Sequence, residues 1–206
     1  MITVLTDEMI KMRSLIVKMI DEAYSLESGK MMFDSADLLE QFIEVSSPIL
    51  IEGQEQLVSI HENSSGGGIS LKPGNIIVNW KKLSYNLPDF VITISAVTGP
   101  SWVIPFVLLN VIKMLYGVAS LTLEADHATC LLALWEYNRG DTAIKESNGL
   151  LIINQFRAKN NQKPLSRAGF RKILDELESI KCVKIGHDGI ILVEEIRIKY
   201  LKERSI

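Results

Sequence analysis

The sequence predicts an α+β protein in two parts. Residues 1–118 read as a mixed domain of helices and a small sheet that ends in a long apolar helix, and residues 119–206 read as three helices closed by a β-hairpin. Three observations carry this reading. Apolar residues recur at helical spacing near both ends of the chain. A nearly unbroken apolar run lies in the middle, where Lys113 is the sole charged residue between Asp89 and Glu124. Near the C-terminal end, Asp188-Gly189 sits between two apolar runs, a strong signal for a two-residue hairpin turn.

A chain of 206 residues with 47% hydrophobic and 23% charged content fits one large domain or two small ones, with enough apolar sequence for a sizeable core. The net charge of −3 argues against a protein that coats nucleic acid indiscriminately. The charge is uneven, however. Residues 1–119 hold 8 Lys+Arg against 13 Asp+Glu (−5), and residues 120–206 hold 14 against 12 (+2). Cys130 and Cys182 fall on apolar faces, the pattern of buried reduced thiols in a cytoplasmic protein. His61, His127 and His187 lie far from one another and from any cysteine pair, so no metal spacing exists. The start MITVLTDEMIKMRS has neither the basic start nor the apolar run of a signal peptide.

The first helix is expected from Thr6, as N-cap, to about Leu26, with Met9, Met12, Leu15, Ile16, Met19, Ile20 and Ala23 on one face. A second begins at Asp34 or Ser35 and carries Leu38, Leu39, Phe42 and Ile43 until Ser47-Pro48 breaks it. Residues 49–60 fit helix or strand. The Gly-rich residues 63–68 lack the Gly-Lys-Ser/Thr of a phosphate-binding loop and read as a surface turn. Residues 68–72 and 75–80 read as strands joined through Pro73-Gly74, and residues 90–97 as a further strand or a buried helix.

Residues 102–121 have the length of a membrane span. Pro105, Asn110 and a central Lys113 oppose insertion, since a lysine at mid-bilayer costs about 2.5–3.5 kcal/mol. The expectation is a helix buried in a core or between the subunits of a homodimer.

Beyond it, Leu121-Thr122-Leu123-Glu124 leads into a helix bearing Ala125, Cys130, Leu131, Leu134 and Trp135, ended by Asn138-Arg139-Gly140. The next helix starts near Ser147-Asn148 and carries Leu151, Ile152, Phe156 and Ala158. After the turn at Asn160-Asn161-Gln162-Lys163-Pro164, Ser166 caps a third helix whose apolar face is Phe170, Ile173, Leu174, Leu177 and Ile180. The hairpin follows as residues 182–185, a tip at Gly186-His187-Asp188-Gly189, and residues 190–198.

This order resembles the winged helix-turn-helix regulators of the MarR type over residues 121–198. Leu131-Leu132-Ala133-Leu134-Trp135 is similar to the body of that family's first winged-domain helix. The stretch from Leu165 through Glu178 is similar to its recognition helix, and the strands flanking His187-Asp188 to its wing. The resemblance implies a cytoplasmic, dimeric, DNA-binding transcription regulator. In this chain Ile180-Lys181 replaces the glycine usual between recognition helix and wing.

Arg157, Lys159, Lys163, Arg167, Arg171 and Lys172 fall in one stretch with no acidic residue between them. In a helix-turn-helix, Arg167 and Arg171 would reach base edges, where Arg pairs bidentately with guanine. Arg157, Lys159, Lys163 and Lys172 would neutralise phosphates. Ser166 at the helix start and Lys184 on the wing complete the candidate DNA-contacting set. Two other readings compete. The cations can form a solvated face, or the winged-helix scaffold can serve as a non-catalytic module for a protein partner, held at a membrane surface by the 102–121 helix. No catalytic motif and no cofactor signature appears.

Overall fold

A computed structural model describes residues 2–25, 34–46, 49–51, 70–72, 74–82, 102–138 and 142–200. The expected loop at 63–68 and the segment 90–97 lie outside these residues. The described chain is α+β with small antiparallel sheets. In order it forms α1 (Ile2–Ser25), α2 (Ser35–Phe42), β1 (Ile43–Ser46), β2 (Ile49–Ile51), β3 (Ser70–Lys72), β4 (Gly74–Asn79) and α3 (Val103–Tyr116). There follow α4 (Ala125–Asn138), α5 (Glu146–Lys159), α6 (Arg167–Ser179), β5 (Val183–Gly186), β6 (Gly189–Leu192) and β7 (Glu195–Tyr200).

α1 begins at Ile2, upstream of the expected cap Thr6, because no glycine or proline interrupts the helix there. Its buried side chains are Ile16, Ile20, Ala23 and Tyr24, and the helix packs along α3. Leu15, expected on the apolar face, is exposed. α2 is capped by Asp34, whose carboxylate accepts from the Ala36 N–H at 2.8 Å. Ile43 belongs to β1 rather than to α2. The alternating Ile43-Glu44-Val45-Ser46 pays for its backbone hydrogen bonds with a partner strand instead of a helical turn.

β3 and β4 do not form the expected hairpin with each other. β4 pairs antiparallel with β1, and β3 with β2. The β1–β4 pairing runs from Ile43↔Val78 to Ser46↔Asn75, and the β2–β3 pairing from Ile49↔Lys72 to Ile51↔Ser70. Gly74 permits a crowded approach at the start of β4. A Cβ there would lie 2.5 Å from both the Ser46 carbonyl oxygen and the Tyr200 ring. The Tyr200 hydroxyl donates to that same oxygen at 2.8 Å.

The second strand of the expected hairpin divides in two. β6 ends at Leu192, and β7 leaves to pair along β4 from Gly74↔Tyr200 to Asn79↔Glu195, giving sheet order β1-β4-β7. The break is held by hydrogen bonds. The Val193 N–H donates to Cys182 O at 3.2 Å, and the Trp80 N–H to Glu194 O at 2.8 Å. Ile43, Val78 and Ile196 share one inward row, and Ile76 and Ile198 the next, so the C-terminal strand packs in the core of the N-terminal part.

The long apolar helix is α3, and it is shorter than expected. Its 14 residues span about 21 Å. Gly117, in the left-handed region at φ 67°, ends it, as the Gly117 and Val118 N–H groups donate back to Met114 O and Lys113 O. Val103 to Ile112 are all buried within the single chain, against α1 and α4. That burial removes the reason for placing this helix in a subunit interface. No helix among the described residues is long and apolar enough to cross a membrane.

Candidate nucleic-acid interface

α4, α5 and α6 are tied together by polar side chains as much as by apolar packing. At the start of α4, His127 Nδ1 accepts the Glu124 N–H at 3.0 Å, the reciprocal bond that a Glu or Gln makes in a capping box. An accepting Nδ1 carries no proton, so Nε2 carries it and donates to Glu176 of α6 at 2.8 Å. Arg157, the last buried residue of α5, is 7% exposed. Its Nη1 donates to Asp126 of α4 and its Nε to the Lys163 carbonyl in the α5–α6 turn, both at 2.6 Å. Asn154 clamps that turn a second time: its amide donates to Leu165 O at 3.1 Å and accepts from Leu165 N at 2.7 Å.

The helix ends repeat one device. Asn161 at φ 55° and Lys181 at φ 61° close α5 and α6 as Gly117 closes α3. Behind them the Gln162 N–H reaches Arg157 O at 2.8 Å, and the Cys182 N–H reaches Leu177 O at 2.9 Å. Lys181 thus adopts the conformation usually given to glycine, with its ammonium 5.2 Å from the centre of the Tyr116 ring.

α6 follows its sequence pattern. Ser166 caps it by accepting the Gly169 N–H at 3.0 Å, and Phe170, Ile173, Leu174, Leu177 and Ile180 are buried. Each such side chain contributes about 1.5–3 kcal/mol on burial. On α5 the buried residues are Gly149, Ile152, Ile153 and Arg157, while the expected Leu151 and Ala158 face solvent. Gly149 lets the helices approach, since a Cβ there would sit 3.0 Å from Ile190 and 3.1 Å from Phe170. β5 and β6 pair from Val183↔Leu192 to Gly186↔Gly189 around the two-residue tip His187-Asp188. A bridge from Ile144 to Ile190 adds the segment before α5 to this hairpin, through bonds of 2.8 Å each way.

The candidate contact residues divide. Arg157 is an internal strut, not a phosphate contact, because its guanidinium is spent on Asp126 and Lys163. Lys159, Lys163 and Lys184 are exposed. Arg167, Arg171 and Lys172 stand together on the exposed side of the first two turns of α6, beside Ser166. Carboxylates accompany them. Arg171 Nη1 is 3.0 Å from Glu146 and its Nε 3.1 Å from Asp175, while Lys172 lies 3.8 Å from Glu176. The hydrogen bond to Glu146, then the charge of Asp175, hold the Arg171 pKa above its ordinary value. Glu146 also sits 3.9 Å from Arg167. Glu146, Asp126 and Asn154 carry no sequence signal of this role, since their partners lie 11 to 31 positions away.

Comparison of the chain with protein-family models, with curated proteins and with solved structures gave no match.

Proposed function

We propose that the chain is a DNA-binding protein that uses residues 121–192 as a winged helix-turn-helix, with α6 as recognition helix and β5–β6 as wing. The charge layout of α6 carries the reading. Its cations Arg167, Arg171 and Lys172 lie toward the N-terminus and its acids Asp175, Glu176 and Glu178 toward the C-terminus. Helix-dipole energetics favour the reverse order at Arg167 in the first turn and at Glu176 and Glu178 in the last, by about 0.3–1 kcal/mol per charge. A layout that the helix dipole disfavours, displayed on an exposed face, fits a nucleic-acid partner, which offers base-edge acceptors to the arginines and phosphates to Lys172. The order α4, bridge strand, α5, α6, hairpin supports the same reading, and so does the short turn clamped by Arg157 and Asn154.

Fluorescence anisotropy with labelled random-sequence duplexes at two salt concentrations tests it. Wild-type protein is expected to bind with an affinity that falls as salt rises, and Lys163→Ala should reduce the slope of log K against log salt by about one unit. Absence of salt-dependent binding to any duplex at low ionic strength would sink the proposal. The competing reading, a scaffold for protein contacts, draws on Tyr137 and Leu151, which are 66% and 59% exposed on α4 and α5. It predicts no duplex binding and full tolerance of Lys163→Ala.

A further inference from the structure

Arg171 is not a free surface cation. Glu146 reaches it from the first turn of α5, Asp175 from one turn further along α6, and Arg167 approaches the same Glu146 from the preceding turn. The guanidinium plane is therefore fixed from two sides before any ligand arrives. Of its five N–H donors, the hydrogen bond to Glu146 occupies one on Nη1 and Nε faces Asp175 at 3.1 Å, so at least three remain, enough for a bidentate contact. The charge balance matters equally. Arg171 with Glu146 and Asp175 sums to −1, and adding Arg167 brings the group to zero. A phosphate gains little by approaching such a group, because the carboxylates repel it. An uncharged acceptor pair, with only partial negative charge, meets much weaker repulsion. The guanine edge in the major groove, with N7 and O6 side by side, is an acceptor pair of that kind.

We propose that Glu146 and Asp175 are positioning residues that hold Arg171 for guanine and turn it away from the phosphate backbone, so that this arginine supplies sequence preference rather than general affinity. The proposal rests on the DNA-binding reading above and deepens it. Lys163, Lys159 and Lys172 are left to supply the salt-dependent part.

The test uses the full chain and a duplex selected by the wild-type protein from a random pool, compared with a random duplex. Each guanine of the selected duplex is replaced in turn by 7-deazaguanine, which lacks the N7 acceptor. Wild-type protein should lose about tenfold in affinity at one guanine. Arg171→Ala should be insensitive at that position. Glu146→Gln and Asp175→Asn, both at exposed or half-exposed sites, should shrink the 7-deaza penalty to about threefold or less while strengthening binding to the random duplex. Their unfolding midpoints are measured alongside, and the two variants serve as checks on each other. If Glu146→Gln and Asp175→Asn keep the full 7-deaza penalty, or strengthen both duplexes alike, the carboxylates do not position Arg171 and the proposal falls alone. If wild-type protein binds no duplex in a salt-dependent way, the DNA-binding reading falls and takes this proposal with it.

Discussion

Truncating Arg157 to alanine separates a strut from a phosphate contact. As a surface phosphate contact, Arg157 would leave folding within about 0.5 kcal/mol of wild type when removed. Its geometry requires a larger loss. Two bonds disappear, one to the Asp126 carboxylate and one to the Lys163 carbonyl, both at 2.6 Å. A hydrogen bond involving a charged group contributes about 1.5–3 kcal/mol. Asp126 is 37% exposed, so water replaces part of its lost partner and the lower end applies. The sum is about 3 kcal/mol, against about 5–15 kcal/mol for a whole domain. For a chain of this size that lowers Tm by about 6–12 °C. Arg157→Lys keeps the charge but has no planar fork to span both acceptors, and should lose about half as much. Urea unfolding followed by tryptophan fluorescence reads both variants, since Trp80 and Trp135 are fully buried. An Arg157→Ala protein as stable as wild type but weaker on random duplexes would refute the strut and restore the phosphate contact.

Three further outcomes are expected. Gly189→Ala should cost more than about 2 kcal/mol, because φ is +127° and the new Cβ would lie 2.3 Å from Ile144 O; hydrogen exchange should then show the Ile144 and Ile190 amides losing protection first. His127→Phe strands the Glu124 N–H and Glu176 and should cost about 1–3 kcal/mol, with His127→Gln recovering part of it through the N3 position of the cap; equal unfolding midpoints for the two would refute the capping role. Burial, the largest cause at both sites, pushes the Cys130 and Cys182 thiols well above their ordinary range. Their contribution to stability is therefore intact below the unfolded thiol value of about 8.5 and fades as pH rises past it. An unfolding free energy flat from pH 8 to 10 in wild type, or identical in slope to that of a Cys130→Ala, Cys182→Ala protein, would contradict this.

The sequence made α6 legible because one helix carried all its own signals. A serine cap, a 3.6-residue apolar rhythm and polar residues on the other face all agree, and each acts within one or two turns. The hairpin tip was legible for the same reason, through Asp188-Gly189. What escaped depends on partners distant in the chain. What sets Arg157 apart from Lys159 and Lys163 is its bond to the Asp126 carboxylate, 31 positions away, together with its bond to the Lys163 carbonyl, and nothing within a window of neighbouring residues records the former. The division of residues 190–198 was hidden likewise. Ile196 and Ile198 fit a wing strand as well as they fit β7, and the competing pull comes from β4. The length of α3 was overestimated because apolar composition continues past Gly117, where the backbone turns to the left-handed region. Leu121 and Leu123 remain buried after the helix has ended, so burial and helix were separate properties of that run.

The pairing of β7 with β4 has a consequence for how the chain is made. Gly74 and Tyr200 are partners although 126 positions separate them (200 − 74). Translation at about 5–20 residues per second puts about 6–25 s between the emergence of one and the other. During that interval β4, with Ile76 and Val78, has one edge without its partner strand, the kind of edge that recruits strands from other chains. The protein's exposure to misassembly is thus greatest on the ribosome and shortly after, before β7 arrives to cap the ribbon. A pause in elongation between these two strands would lengthen that exposure, whereas a chaperone that shields strand edges would shorten it.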